Sequence, residues 1–207
     1  MPARSAEYMD EMRDRIVTAI SQCMDEKGLA NASLTDVCER AQISRGALYV
    51  HFKSKSEMLC AVVDSAAKMA TSRQAFVDAA SLRTMLVAEF SMPWANDRNS
   101  LYSEMEFLAA ARTDDALRES IRRSIDARTE RIRAGIRNLR KRGELRDDLS
   151  EESAAVTLGW FFEGMMNLKF GSGTSRDVHI EAVDSLLTGL LKPKVLRGLA
   201  DEAGAAR

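Results

Sequence analysis

The chain has 207 residues, with 30 Lys and Arg against 31 Asp and Glu, a formal net charge of -1, 45% hydrophobic residues and 29% charged ones. That length buries a proper core without disulfides or a structural metal, and the composition excludes a disordered, fibrous or disulfide-stapled chain. A near-neutral balance gives no global attraction to nucleic acid or an anionic bilayer, so any such contact must come from a local patch.

Met12, Ile16, Ala19, Ile20 and Cys23 recur at helical spacing until Gly28, the residue expected just past a helix end. The first element is therefore an amphipathic helix. Ser33 is placed to cap a short second helix carrying Leu34, Val37 and Ala41, and Ser44 to cap a third carrying Leu48 and Phe52, with only Gln42-Ile43 between them. Two short helices joined so tightly must cross steeply, which is the helix-turn-helix pattern. Lys53-Ser54-Lys55-Ser56 breaks the pattern, and Leu59, Val62, Val63, Ala66, Met69 and Ala70 begin a longer linking helix. Further helices are expected over about 82–92, stopped by Pro93, then 99–112, 114–142, 150–170 and 177–192, with residues 194–207 as a C-terminal tail. No run alternates at period two, so the expected class is all-α. Gly171-Ser172-Gly173-Thr174-Ser175 follows a helix and lacks the Lys and spacing of a phosphate-binding loop.

Cys23, Cys38 and Cys60 lie at wide spacings without a CxxC pair or a nearby His pair, so they read as small buried hydrophobes rather than as zinc or redox ligands. No metal or cofactor is expected. The N-terminus has no apolar signal core, and the longest uncharged apolar stretch, about 154–162, ends at Glu163, too short to span a bilayer. The expectation is a cytoplasmic protein without a membrane partner.

Between Arg40 and Ser56 the charged residues are Arg40, Arg45, Lys53 and Lys55, with no carboxylate among them. If the third helix is capped by Ser44, its first turn is Arg45, Gly46 and Ala47, where backbone N–H groups and the positive helix end face outward. Recognition helices present such N-terminal residues to base edges. Gly46 and Ala47 are small enough to let the backbone approach DNA, and Arg45 has the planar donor fork suited to a guanine edge. Tyr49 and His51, interleaved with Leu48 and Phe52, offer a hydroxyl and an imidazole N–H to phosphates.

Residues 11–62 resemble the DNA-binding region of the tetracycline-repressor (TetR) family of bacterial transcriptional regulators. The resemblance is carried by Ser33-Leu34-Thr35-Asp36-Val37, by the run from Ala41 through Arg45-Gly46-Ala47-Leu48-Tyr49-Val50-His51-Phe52, and by Lys55-Ser56-Glu57-Met58-Leu59. It implies an all-helical homodimer, with a helix-turn-helix domain over 6–56 and an effector-binding and dimerisation domain over 57–193. It also implies that Ser33 and Thr35 meet phosphates, that Arg45, Gly46 and Ala47 enter the groove, and that Tyr49, His51 and Lys55 hold the DNA backbone. Ala47 stands where the family frequently has Thr or Ser, and Val50 where a larger or polar residue is common, so the operator sequence is not transferable. Gly143-Glu144-Leu145-Arg146 and the helix containing Gly159-Trp160-Phe161-Phe162-Glu163-Gly164 resemble the family's closing helices.

In segment 114–142 an apolar stripe of Ile121, Ile125, Ile132, Ile136 and Leu139 is flanked by many Lys and Arg interspersed with Glu119, Asp126 and Glu130, which reads as a solvated amphipathic helix rather than a second nucleic-acid surface. Met69, Met92, Trp94, Tyr102, Met105 and Trp160 are the candidates for lining an effector site, since Met adapts to irregular apolar ligands. Glu104 and Glu106 would meet a cationic effector if they pointed inward. Leu158, Phe161, Phe162, Met165 and Leu168 in one helix and Ile180, Val183, Leu187, Leu190 and Leu191 in the next make wide apolar faces, expected to form a four-helix homodimer interface.

The expected function is a dimeric repressor bound to an inverted-repeat operator on double-stranded DNA and released by an apolar or aromatic small-molecule effector. Two alternatives are a small helical enzyme and a helical adaptor without operator affinity. The enzyme lacks support: His51 and His179 are the only histidines, and no HExxH, GxSxG or Cys/His constellation occurs.

Overall fold

Helix α1, Ala6–Lys27, turns Met12, Ile16, Val17, Ala19, Ile20, Cys23 and Met24 inward, the stripe its spacing dictates. It stops at Gly28, whose φ of +78° is open to glycine without strain, and the Gly28 N–H closes the last turn on the Met24 carbonyl at 2.7 Å. These details come from a computed structural model that describes residues 6–72, 74–90, 105–168 and 175–205.

Helix α2, Leu34–Ala41, begins with a reciprocal cap: the Ser33 hydroxyl accepts from the Asp36 N–H, and the Asp36 carboxylate accepts from the Ser33 N–H. It ends at Gln42, a non-glycine in the left-handed region at φ 55°, whose N–H donates to the last carbonyls of α2. Helix α3, Arg45–His51, is capped by Ser44 as the spacing predicts, and Leu48 and Phe52 are fully buried against α1 and α2. Helix α4, Lys55–Ser72, opens on Ser54, whose hydroxyl accepts from the Glu57 N–H while the Glu57 carboxylate accepts from the Lys53 N–H.

Helices α5, Ala79–Phe90, and α6, Asp115–Lys141, follow, and residues 105–110 are also helical. Asp78 and Ser81 cap α5 reciprocally, and Asp114 caps α6 through the Leu117 N–H. Helices α7, Glu151–Leu168, and α8, Arg176–Leu190, start on Ser150 and Ser175. The expected tail beyond 193 is instead a helix, α9, Pro193–Ala205, started by a proline that needs no N–H at that position. Val195, Leu196 and Leu199 pack it onto the core, a pattern too short to separate from a polar tail by spacing alone.

Packing divides the chain into two compact units, residues 1–72 with 97–126 and residues 73–96 with 127–207. The unit holding the first three helices thus extends past residue 56 to take in α4 and the start of α6. Within it, the fully buried Ser120 donates to the Asp64 carboxylate at 2.6 Å, so the polar group in the α4–α6 packing is satisfied. In the other unit α5 packs on α8, tied by a bidentate Arg83–Asp184 pair at 2.7 and 3.1 Å. His179 is buried there with Nε2 3.2 Å from the Leu86 carbonyl oxygen. Gly143, at φ +68°, reverses the chain after α6, and residues 144–146 then run beside 190–192, with an isolated bridge between Leu145 and Leu191. No described helix is long and apolar enough to cross a membrane.

Candidate nucleic-acid interface

The first turn of α3 is built by its cap. Because the Ser44 hydroxyl takes the Ala47 N–H at 3.1 Å, the chain enters the helix with Arg45 and Gly46 exposed and Ala47 half-exposed. A Cβ added at Gly46 would meet only the Ser44 hydroxyl oxygen, at an ordinary 3.8 Å, so the fold itself has room for a side chain there. What the glycine keeps open is the outward approach. The Arg45 guanidinium donates to the Thr35 hydroxyl at 2.6 Å, which fixes the donor fork across the start of α2 and joins the two short helices at one edge. Ser33, Tyr49 and Lys55 are exposed on the same unit, and so is Val50, at 58%.

The local cationic charge is narrower than the sequence suggests. Arg40 pairs with Glu26 on α1 and is drawn away from the surface that carries Arg45. Lys53 turns its ammonium to the Tyr49 and Val50 carbonyl oxygens, at 3.1 and 3.4 Å, covering the negative end of α3. Among the described residues Arg45, Lys53 and Lys55 make no ion pair with a carboxylate. Asp36 is held well below the usual carboxylate range, first by the Lys27 ammonium at 2.6 Å and then by the Ser33 N–H and hydroxyl. It therefore remains an anion dedicated to the cap.

His51 does not join this edge. It is buried, at 8% exposure, and its carbonyl accepts from the Arg13 guanidinium at 2.7 Å, so the expected phosphate contact through its imidazole is withdrawn. The reason is helix phase: His51 shares the inner face of a seven-residue helix with Leu48. Arg13, absent from the sequence-based candidates, also lies 4.2 Å above the Phe52 ring and reaches Glu57, locking α1, α3 and α4 together. The Ser-x-x-Glu spacing of Ser54 and Glu57 was the readable signal for half of that junction.

The arginine-rich face of α6 is tied up in ion pairs. Arg118 meets Asp115, Arg122 meets Glu119 and Asp126, Arg133 meets Glu152, Arg137 meets Glu130, and Arg142 meets Glu144. Such a face has little net field for a phosphate backbone.

The second unit contains a narrow cleft with an internal volume of only about 10 Å³, room for little more than one water, lined by Gln74, Ala75, Phe76, Met85, Arg128, Arg131, Ile132, Leu158 and Phe162. Of the residues expected to line an effector site, Met92, Trp94 and Tyr102 lie outside the described residues. Met69, Met105 and Trp160 are exposed, at 66%, 60% and 75%, and line none of this cleft. Bulk and polarizability named the residue types but not the helix faces. Glu106, considered for a cationic effector, instead accepts the Leu29 N–H at 2.6 Å beyond the end of α1, while Glu104 lies outside the described residues.

A sequence model of bacterial regulatory proteins of the tetR family matches residues 16–62, the span from α1 into α4 that builds this edge. The transcriptional regulator TtgR of Pseudomonas putida is 26% identical over 175 residues, covering 80% of this chain and 83% of its own. Over residues 16–62 the chain carries the DNA-binding region of the TetR family. Its fold is that of a TetR transcription regulator from Haloarcula marismortui, with a TM-score of 0.72 at 13% identity, covering 88% of this chain and all of that one. SmeT, solved as a complex with triclosan, gives a TM-score of 0.68 at 25% identity, covering 88% of this chain and 93% of SmeT.

The chain is accordingly a DNA-binding transcriptional regulator with an N-terminal helix-turn-helix and a C-terminal helical domain, and regulators of the TetR family are not enzymes. The pairing expected through the apolar residues of α7 and α8 is largely foreclosed by burial. Leu158, Val183, Leu187, Leu190 and Leu191 lie inside the chain's own core, at 2% exposure or less, so they are not available to a second copy. Phe161, Phe162, Met165 and Ile180 are half-buried, and the Leu168 side chain lies outside the described residues. Helices α7 and α8 first have α5 and α6 to cover, and their widest apolar faces serve that packing. The exposed apolar or small positions include Val156 and Trp160 on α7, and Val178, Ala182, Ser185 and Gly189 on α8, among exposed polar residues such as Glu152, Thr157, Glu181 and Thr188.

Proposed function

We propose that the protein is a homodimeric repressor that reads an inverted-repeat operator through α3 of each protomer and leaves it when an apolar or aromatic effector binds. The observation that carries this reading is the Arg45–Thr35 hydrogen bond, which holds a guanidinium fork at the open first turn of α3. Arg45 is assigned to base edges, with Gly46 and Ala47 allowing close approach. Thr35, Tyr49 and Lys55 are assigned to phosphates. Ser33 and Ser44 contribute as exposed caps whose hydroxyls already serve the helix ends.

The dimer is assigned to the outward faces of α7 and α8, centred on Trp160 and Val156 and completed by Val178, Ala182, Ser185 and Gly189. An indole 75% exposed on α7 is the kind of anchor that a symmetric interface covers. Closed two-fold pairing on DNA sets the recognition helices roughly 34–36 Å apart, one helical turn. The effector is assigned to the cleft under Phe76, Met85 and Phe162, and the triclosan complex of SmeT supports an aromatic ligand of modest size. Its binding must favour a dimer unable to span successive grooves, since a ligand with equal affinity for both states shifts nothing. Such a regulator acts on DNA in the bacterial cytoplasm.

Fluorescence anisotropy with duplexes tiled across the region upstream of the protein's own reading frame tests the reading. A symmetric site bound far more tightly than scrambled DNA, by two protomers, is expected. Equal affinity for every duplex would refute operator reading.

A further inference from the structure

The cleft in the second unit has a chemical bias that the assignment of an apolar effector leaves out. Its walls are Phe76, Met85, Ile132, Leu158 and Phe162, and both charged side chains lining it, Arg128 and Arg131, are guanidiniums three residues apart on α6. No carboxylate lines it among the described residues. Arg128 pairs with Glu163 of α7, which lies outside the lining.

From this geometry we infer that the effector is an aromatic acid, whose anionic group takes the Arg128 guanidinium from Glu163 while its rings fill the apolar walls. The inference rests on the cleft being the effector site. Arg128, at 26% side-chain exposure, is the more enclosed partner, and Glu163, at 37%, is the one able to return to water. Exchanging one carboxylate for another acid on the same guanidinium preserves the charge-assisted hydrogen bond and leaves no buried charge unpaired. A cationic ligand would meet two guanidiniums instead, and a neutral one would leave the ion pair as it stands. The cleft as it stands, about 10 Å³, is closed to an aromatic ring, so entry requires Met85 and Phe162 to swing aside, and Met is the side chain that repacks at least cost.

The test uses two fluorescent probes with the same aromatic frame, the anion 8-anilinonaphthalene-1-sulfonate and the neutral N-phenyl-1-naphthylamine, titrated against the full chain. The anion is expected to bind at least about tenfold more tightly. Arg128→Gln should erase that preference while leaving the neutral probe within about twofold, and Glu163→Gln should tighten the anion about threefold or more. The opposed directions separate charge recognition from misfolding, since an unfolded variant would not gain affinity. Met85→Trp, which fills the cleft, should weaken both probes. Equal affinities in the wild type, parallel losses in Arg128→Gln, or anion binding untouched by Met85→Trp would each overturn the inference. Operator binding measured on the same preparations keeps the two readings apart: a protein that binds its operator but treats both probes alike remains a repressor with a non-acidic effector.

Discussion

Phe76 and Gly135 interlock: the Phe76 ring lies so close over the α6 backbone that a Cβ at Gly135 would overlap its Cζ and both Cε atoms. Both residues are buried, and the Phe76 carbonyl also accepts from Asn138 Nδ2 at 3.0 Å, one turn further along α6. A mid-helix glycine normally weakens a helix by about 1 kcal/mol relative to alanine. Here the glycine makes room for an aromatic ring that also lines the cleft.

Gly135→Ala should therefore destabilise the protein despite its better helix propensity. Overpacking of this kind costs about 1–3 kcal/mol, against about 1 kcal/mol gained in the helix. Thermal unfolding of Gly135→Ala, Phe76→Leu and the double variant checks it. The smaller side chain should tolerate the added methyl, so the double variant should lose less than the sum of the singles. Additive losses would mean that the ring does not depend on the glycine.

At the DNA edge, Arg45→Ala should cost about 1–3 kcal/mol on the preferred operator and reduce discrimination between sequences. Lys55→Ala should weaken all duplexes alike and lower the salt slope by about one unit. Thr35→Val, which removes the hydroxyl that holds Arg45, should also lower operator affinity with little change in thermal stability. The same titrations at several salt concentrations separate the three variants. An Arg45→Ala protein that loses operator and random DNA equally would place base reading elsewhere.

The α7–α8 faces give a contrast between two substitutions. Trp160→Glu alters an exposed side chain and should yield a folded monomer in sedimentation, with operator affinity greatly reduced. Leu187→Glu puts a carboxylate into the chain's own core and should unfold it, because an unpaired buried charge costs several kcal/mol. A Trp160→Glu protein that remains a dimer would move the interface off this face.

Acid should weaken the first unit partly through Asp36. Its carboxyl is held below its ordinary value by Lys27 and by the Ser33 cap, so the unfolded chain binds a proton before the folded one does. The resulting stabilisation is complete above the unfolded value of about 4 and is lost as pH falls from there through the folded value. Asp36→Asn should lower the melting temperature at pH 7 and show a smaller further loss at pH 3 than the parent. Parallel pH profiles for the two proteins would exclude Asp36 as a contributor.

Most of the described helices were legible in the sequence, with the Ser33 and Ser44 caps, whereas α9 and the Asp78–Ser81 cap of α5 were not. Ser33, Ser44, Asp114 and Gly143 each act through hydrogen bonds or a φ angle fixed within a few residues of chain. The helix-turn-helix followed from the same local signals, with Gln42 supplying a left-handed turn that no glycine announced. Burial was decided elsewhere. An apolar stripe states that a face must be covered but not by what, so the leucines of α7 and α8 read equally well as an interface until α5 and α6 were seen to cover them. His51 went inward because a seven-residue helix has only one inner face, and Arg40 was neutralised by Glu26, fourteen residues away on another helix. The cleft depends on Phe76, Arg128, Leu158 and Phe162, which approach one another only through packing. Local hydrogen bonding is written into neighbouring residues; the face a helix hides depends on the rest of the chain that folds against it.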